Sequence, residues 1–234
     1  MSLFRINKLL KASRILTTGS PLLWNRLGKG VAASTEHFDV LKSLRPVNTV
    51  IDIGANRGQF SLAARYCFPE AQIFAFEPLP KPYAVFQRLF SSDINTHAYN
   101  SAIGPGRTSV DMHVSGRDDS SSLLAITETQ DQLFPGTGEV GTATIQVDRL
   151  DSLLSISDLQ GPVLLKIDVQ GYEAETLQGS TGLLSAIDYI YVECSFVELY
   201  ESQALAHDII DWLHERGFVL NAVFNMAYDK LHHA

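Results

Sequence analysis

The residues best suited to chemistry begin at VIDIGANRGQF, positions 50–60, where an apolar run ends in Asp52 and two glycines follow, Gly54 and Gly58. Gly54 lets the chain turn without a Cβ. Gly58 lets backbone come close to a ligand where a helix begins, and the N–H groups of that helix start point outward. Ala55, Asn56 and Phe60 complete the corner. A glycine pair of this kind also serves an ordinary tight strand-to-helix turn, so the acids around it decide the reading. A dinucleotide fingerprint would be GxGxxG with a diphosphate on the helix start, which a carboxylate at the strand end repels; the pattern here is DxGxxxG. Asp52 suits a ligand that carries positive charge, such as the ammonium and sulfonium of S-adenosylmethionine. Glu77, 25 residues after Asp52 and followed by Pro78 in FEP, is placed to accept both hydroxyls of a ribose.

Two more acids close apolar runs and could handle a proton. Asp168, at the end of VLLKIDV, is the first candidate for a general base, and Glu193, in YIYVEC, is the second. The two could share a proton or hold a divalent cation together. The competing readings are an orienting partner for a ligand ammonium at Asp168 and a hydrogen-bonded structural acid at Glu193. No HExxH or paired CxxC motif occurs, so no metal is assigned. Weaker candidates are His113, the Glu36–His37 pair, Ser120 to Ser122, Tyr200 and Glu201. Lys166 and Glu173 flank Asp168, where a salt bridge and a helix-start acid explain them. Cys194 reads as a small core residue rather than a nucleophile.

The elements that must position these groups alternate from about residue 36 onward. Helices are expected over 36–44, 59–66, 83–90, 149–154, 173–184 and 204–216, and strands over 49–53, 72–77, 96–100, 163–169, 189–194 and 218–224. Strands separated by helices imply a mostly parallel sheet in an α/β three-layer sandwich, with ligands outside the carboxyl ends of its strands. That rule selects Asp52 with the glycine corner, Glu77, Asn100 with Ser101 and Ala102, Asp168 and Glu193. The stretch from Gly104 to Ile145 changes character: 108–114 alternates like a strand, GRDDSSS is a polar loop and PGTGEVG is rich in glycine, which reads as an antiparallel insertion.

Composition sets the outer limits. The chain has 234 residues, 45% of them hydrophobic, enough for one good core plus an extension. Cys67 and Cys194 both lie in apolar segments, which argues against a disulfide framework and for a reducing, cytoplasmic setting. No apolar run reaches the roughly 18 residues that a membrane span needs. The first thirty residues carry six basic side chains and no acid, although the whole chain has a formal charge of −8. Leu3, Ile6, Leu9, Leu10 and Leu16 share one face of a helix there, opposite the basic residues. Such a helix could pack on its own core or a second subunit, lie on a membrane surface, or be a cleavable leader. Residues 1–35 are therefore read as an amphipathic extension and 36–234 as the working domain, and the acidic body argues against nucleic acid as a partner.

With these stretches in hand the chain resembles the FkbM-type methyltransferase family: VIDIGANRGQF, FAFEPLP, DSSSLL, LLKIDVQGYE and YVECSFVELYE occur in that family's order and spacing. The resemblance covers roughly residues 36–229. It implies a class I, Rossmann-like fold, S-adenosylmethionine as cofactor, and O-methylation of a hydroxyl on a sugar, polysaccharide or secondary metabolite. On this chain it implies that the glycine corner binds the methionine part, Glu77 the ribose, residues 100–103 the adenine side, and Asp168 the region of the reacting methyl. Family members continue past NMAYDK into a final hairpin, whereas this chain stops at Ala234, so the last strand is expected to be missing or shortened. That keeps open a scaffold that has the fold without turnover. A nicotinamide-dependent oxidoreductase is disfavoured by Asp52 and by the missing third glycine, and a homodimer is compatible with the fold.

Overall fold

A computed structural model describes residues 13–226. The expectations for Leu3 to Leu10 and for the tail beyond residue 226 lie outside these residues. The chain divides into two compact units: Met1–Asn100 with Ile156–Lys166 and Ala186–Ile190, and Ser101–Ser155 with Ile167–Ser185 and Tyr191–Ala234.

In the first unit, α1 (Pro21–Gly28) starts where the Ser20 side chain accepts a hydrogen bond from the Leu23 N–H, with Pro21 at the first helical position. Ile15 and Leu23 are buried, and the Trp24 indole donates to the Ile15 carbonyl at 3.1 Å. A 3₁₀ turn at Thr35–His37 runs into α2 (Phe38–Ser43), matching the helix expected over 36–44. Strand β1 (Thr49–Ile53) is buried at all five positions, as expected of a strand at the centre of a parallel sheet. Helix α3 (Gln59–Cys67), β2 (Gln72–Phe76), α4 (Pro80–Phe90) and β3 (Thr96–Tyr99) follow. β1 pairs with β2 and β2 with β3, both parallel, in a register that sets Asp52 beside Ala75 and Phe76 beside Tyr99.

The second unit opens with the short β4 (Ala102–Ile103), then β5 (Thr108–Ser115), α5 (Glu128–Leu133), β6 (Glu139–Asp148) and α6 (Leu150–Leu153). β5 and β6 form the expected antiparallel pair, with a register break between Val114 and Ser115, and β4 joins the far side of β6 in parallel. α5 and the bounds of β6 are not among the expectations above, since PGTGEVG reads as a glycine-rich loop. The bulge instead brings Glu139 and Gly141 into the ladder with β5.

β7 (Val163–Ile167) and β8 (Tyr189–Val192) complete a five-stranded sheet of order β3-β2-β1-β7-β8. The order reverses at β1, so the carboxyl ends of β1 and β7 flank a topological switch point of the Rossmann-like kind. Between these strands, α7 (Glu173–Gly179) passes into a 3₁₀ turn at Thr181–Ala186, which splits the single helix expected over 173–184. Gly179 is fixed by sterics: a Cβ there would strike the Gly104 carbonyl.

The last expectation fails. After α8 (Ala206–His214), residues 218–224 have no strand pairing. Gly217, at φ +87°, ends the helix and the Phe218 N–H turns back to the Leu213 carbonyl. Val219 is 80% exposed, with Leu220 and Val223 also in solvent. An apolar sequence gains strand structure only from a ladder partner, and among the described residues this stretch has none.

Candidate active site

The glycine corner is built from left-handed backbone. Gly54 and Gly58 have φ of +78° and +93°, and Asn56, between them, has φ +46°. Gly58 is doubly constrained, since a Cβ there would come within 2.8 Å of the Phe90 ring and 3.0 Å of Phe86. The N–H groups of Gly54 and Ala55 both donate to the Phe76 carbonyl at 3.0 Å, which ties the corner to the end of β2. The next two N–H groups meet side-chain oxygens: Asn56 donates to Glu77 Oε2 at 2.8 Å, and Arg57 to Asn56 Oδ1 at 2.7 Å.

Glu77 is 6% exposed, and its other oxygen, Oε1, accepts from the Leu79 N–H at 2.8 Å. Each carboxylate oxygen thus accepts one backbone donor, which fixes the orientation of the group, and a carboxylate has the acceptor sites to take two vicinal hydroxyls from one sugar. Asn100 donates to the carbonyls of Glu77 and Pro78, both at 2.9 Å, and so fixes the turn after β2.

Asp52 lies deeper than the sequence suggests. It is fully buried, accepts from Ser61 Oγ at 2.6 Å, and its Oδ1 stands 3.1 Å from Lys166 Nζ, an ion-pair contact without hydrogen-bond alignment. Lys166 also donates to the Gly54 carbonyl at 3.1 Å and lies over the Phe60 ring, 5.3 Å from its centroid. The pair makes the floor of the corner close to neutral. The repulsion of a diphosphate argued from Asp52 alone is correspondingly weakened, and the choice of cofactor falls to Glu77 and to kinship. Phe60 is buried and meets His37 edge-on at 5.4 Å.

Ser101 and Ala102 belong to the second unit. Ser101 is engaged there with Asp148 Oδ2 at 3.1 Å and the Gln146 carbonyl at 3.2 Å, and Ala102 sits in β4. The two base candidates are in the same unit. Gln170 Nε2 donates to Asp168 Oδ1 at 2.8 Å and to Glu193 Oε2 at 3.3 Å, so one amide joins both carboxylates. The Glu193 N–H is fixed by the Ile167 carbonyl at 2.9 Å. Glu173, at the start of α7, accepts from the Gly171 N–H at 3.0 Å, and burial pushes its carboxyl up from 4.5 to about 7. Burial, then Glu173 and Glu193, push the Cys194 thiol up to about 12, in keeping with a core residue and not a nucleophile. The Tyr200 hydroxyl is raised as well, first by burial and then by Glu193, Asp168, Glu173 and Asp119.

Residue by residue, then, the structure gathers Asp52, Gly54, Ala55, Asn56, Gly58, Phe60, Glu77 and Pro78 at one corner of the first unit. It gathers Asp168 and Glu193 in the second. Gln170 emerges as the partner of these acids, and Ser122 and Tyr200 hold Gln170 in turn: Ser122 donates to the Gln170 carbonyl at 2.6 Å, and the Tyr200 hydroxyl donates to Gln170 Oε1 at 2.7 Å. Of these, Gln170 was not singled out from the sequence, where only its place between Asp168 and Gly171 hinted at a sharp turn. His113 pairs with Glu139 at 2.7 Å instead. Among the described residues no group of three or more His, Cys, Asp or Glu is arranged to hold a metal, and no helix is long and apolar enough to cross a membrane.

Residues 52–220 match the methyltransferase FkbM domain. This chain belongs to the FkbM methyltransferase family. It is 28% identical over 175 residues to the 2-O-methyltransferase NoeI of Sinorhizobium fredii, covering 72% of each chain. It is 32% identical over 145 residues to the hexuronic acid methyltransferase AglP of Haloferax volcanii, covering 61% of this chain and 54% of that one. Methyltransferase 1 of Beauveria bassiana is 27% identical over 183 residues. The matched span of this FkbM methyltransferase begins at Asp52 and includes Glu77, Asp168, Gln170 and Glu193, so both clusters lie inside it.

Proposed function

We propose that this methyltransferase uses S-adenosylmethionine to O-methylate a hydroxyl of a sugar, a glycan or a related small metabolite. The observation that carries the reading is Glu77, whose two oxygens are aimed by the Asn56 and Leu79 N–H groups beside a glycine corner of left-handed backbone in which Gly58 has no room for a Cβ. These residues fit the cofactor: the glycine turn suits its methionine part, and the oriented carboxylate of Glu77 suits its ribose diol. When bound, S-adenosylmethionine supplies a methyl group already activated by its sulfonium. The protein must then fix the acceptor and take its proton, and orientation alone can contribute about 7–11 kcal/mol. Asp168 is the first candidate base and Glu193 the second; a base typically adds a factor of about 100 to 10,000. NoeI is a 2-O-methyltransferase and AglP a hexuronic acid methyltransferase, which together favour an oxygen on a sugar as acceptor.

Calorimetry with S-adenosylmethionine, S-adenosylhomocysteine and NAD tests the cofactor, and binding of NAD alone would sink the reading. Mass spectrometry after incubation with free hexuronic acids, oligosaccharides and polyols tests the acceptor. A gain of one methyl group that disappears in Glu77→Gln, with the fold retained, rules out a scaffold without turnover.

A further inference from the structure

We infer that Gln170 is a positioning residue that keeps Asp168 and Glu193 ionised and aimed, so that together they serve as the proton acceptor of the transfer. The inference rests on the assignment of those two carboxylates to the acceptor hydroxyl.

One terminal amide has three partners here. Its Nε2 donates to Asp168 Oδ1 at 2.8 Å and to Glu193 Oε2 at 3.3 Å, and its Oε1 receives the Tyr200 hydroxyl at 2.7 Å. The direction of the amide follows from chemistry: ionised carboxylates only accept, so both amide hydrogens must face them. Tyr200 has a single proton to give. The shorter contact places it on Gln170 and leaves the Ser120 carbonyl, at 3.2 Å, as the weaker alternative.

The backbone of Gln170 is held at some cost to make this bridge. Its φ of +56° lies in the left-handed region, which a glutamine seldom occupies. The surroundings leave it little choice. The fully buried Ser122 donates to the Gln170 carbonyl at 2.6 Å, and at Gly171 (φ +99°) a Cβ would come within 2.9 Å of the Tyr200 ring. A strained conformation fixed from several sides is a mark of a functional turn.

Acids crowd this part of the unit: Glu193, Asp168 and Glu173 all act on the Tyr200 hydroxyl. Carboxylates close to one another disfavour each other's charged form. An amide that donates to both favours their charged forms and lowers their titration. A group that only filled space would not alter it.

The test is ¹³C NMR titration of protein labelled at the Asp and Glu carboxyls, with Asp168→Asn and Glu193→Gln for assignment. Gln170→Met removes the donors at nearly constant length. Gln170→Asn retains an amide and tolerates positive φ, but is one methylene too short. Both variants are expected to raise the higher of the pair's two apparent midpoints by about one pH unit. The acid limb of methyl transfer should move up with it, while affinity for S-adenosylhomocysteine holds. Unchanged midpoints in both variants overturn the inference. Midpoints that move in a protein whose wild type methylates no acceptor overturn the assignment of the acids to the hydroxyl, and with it the role in transfer.

Discussion

At the scale of single residues the unusual choice is a charged pair, Asp52 and Lys166, placed under the glycine corner with 0% and 4% exposure. Buried pairs give little net stability, but removing one member strands the other. Lys166→Met should therefore cost about 3–5 kcal/mol in urea unfolding, and the double variant Asp52→Asn/Lys166→Met should recover much of that loss. A double variant as unstable as the single one would show that Lys166 matters for reasons other than charge. Glu173 gives a pH dependence of opposite sign to the usual carboxylate. Its folded value, about 7, lies above the unfolded 4.5, so between these values the native state holds more proton than the unfolded chain. Stability contributed by this group is full at low pH and is lost as pH rises through 7. Glu173→Gln is expected to gain up to about 3 kcal/mol at pH 8 and almost nothing near pH 4. Equal gains at both values would contradict the burial argument.

At the scale of elements the sequence was legible wherever hydrophobic periodicity and local chemistry agreed. TVIDI reads as a buried strand and VLLKI as a central one, and both are fully buried, whereas YIYVEC, which also reads as central, forms the half-buried β8 at the end of the sheet; the DxGxxxG corner reads as a tight turn and is one. What it hid was whatever depends on distant partners. Nothing around Lys166 reveals that its ammonium serves Asp52, and nothing in GTGEVG shows that Glu139 and Gly141 enter a ladder with β5. Residues 218–224 show the converse, since a strand-like pattern is idle without a neighbouring strand. Two outcomes belong at this scale. Gly58→Ala must force both a left-handed alanine and a clash with Phe86 and Phe90, so a loss of about 1–3 kcal/mol is expected, together with weaker binding of S-adenosylhomocysteine by calorimetry. Among the described residues, brief chymotrypsin digestion should cut first at residues 218–224, where Leu220 and Phe224 lie on backbone without a strand partner. Early cleavage within β1 or β7 instead would contradict this order of local stability.

At the scale of the whole molecule, the residues proposed for cofactor binding and for proton transfer come from stretches of chain that are far apart in sequence. The first unit carries the glycine corner and Glu77, the second the carboxylates joined by Gln170, and β7 links them covalently, with Lys166 and Asp168 two residues apart. The placement of Lys166 also has a consequence for how the protein is made. It lies 112 residues beyond Gly54, the residue whose carbonyl it holds, and a ribosome adds about 5–20 residues per second, so roughly ten seconds of synthesis separate the corner from its cation. During that interval Asp52 has no lysine, and β1 has no strand on one flank. Nascent chains arrested before Lys166 leaves the exit tunnel should stay protease-sensitive across β1 and α3, and chains arrested after β8 emerges should resist. The glycine corner is thus among the first parts written and among the last to set.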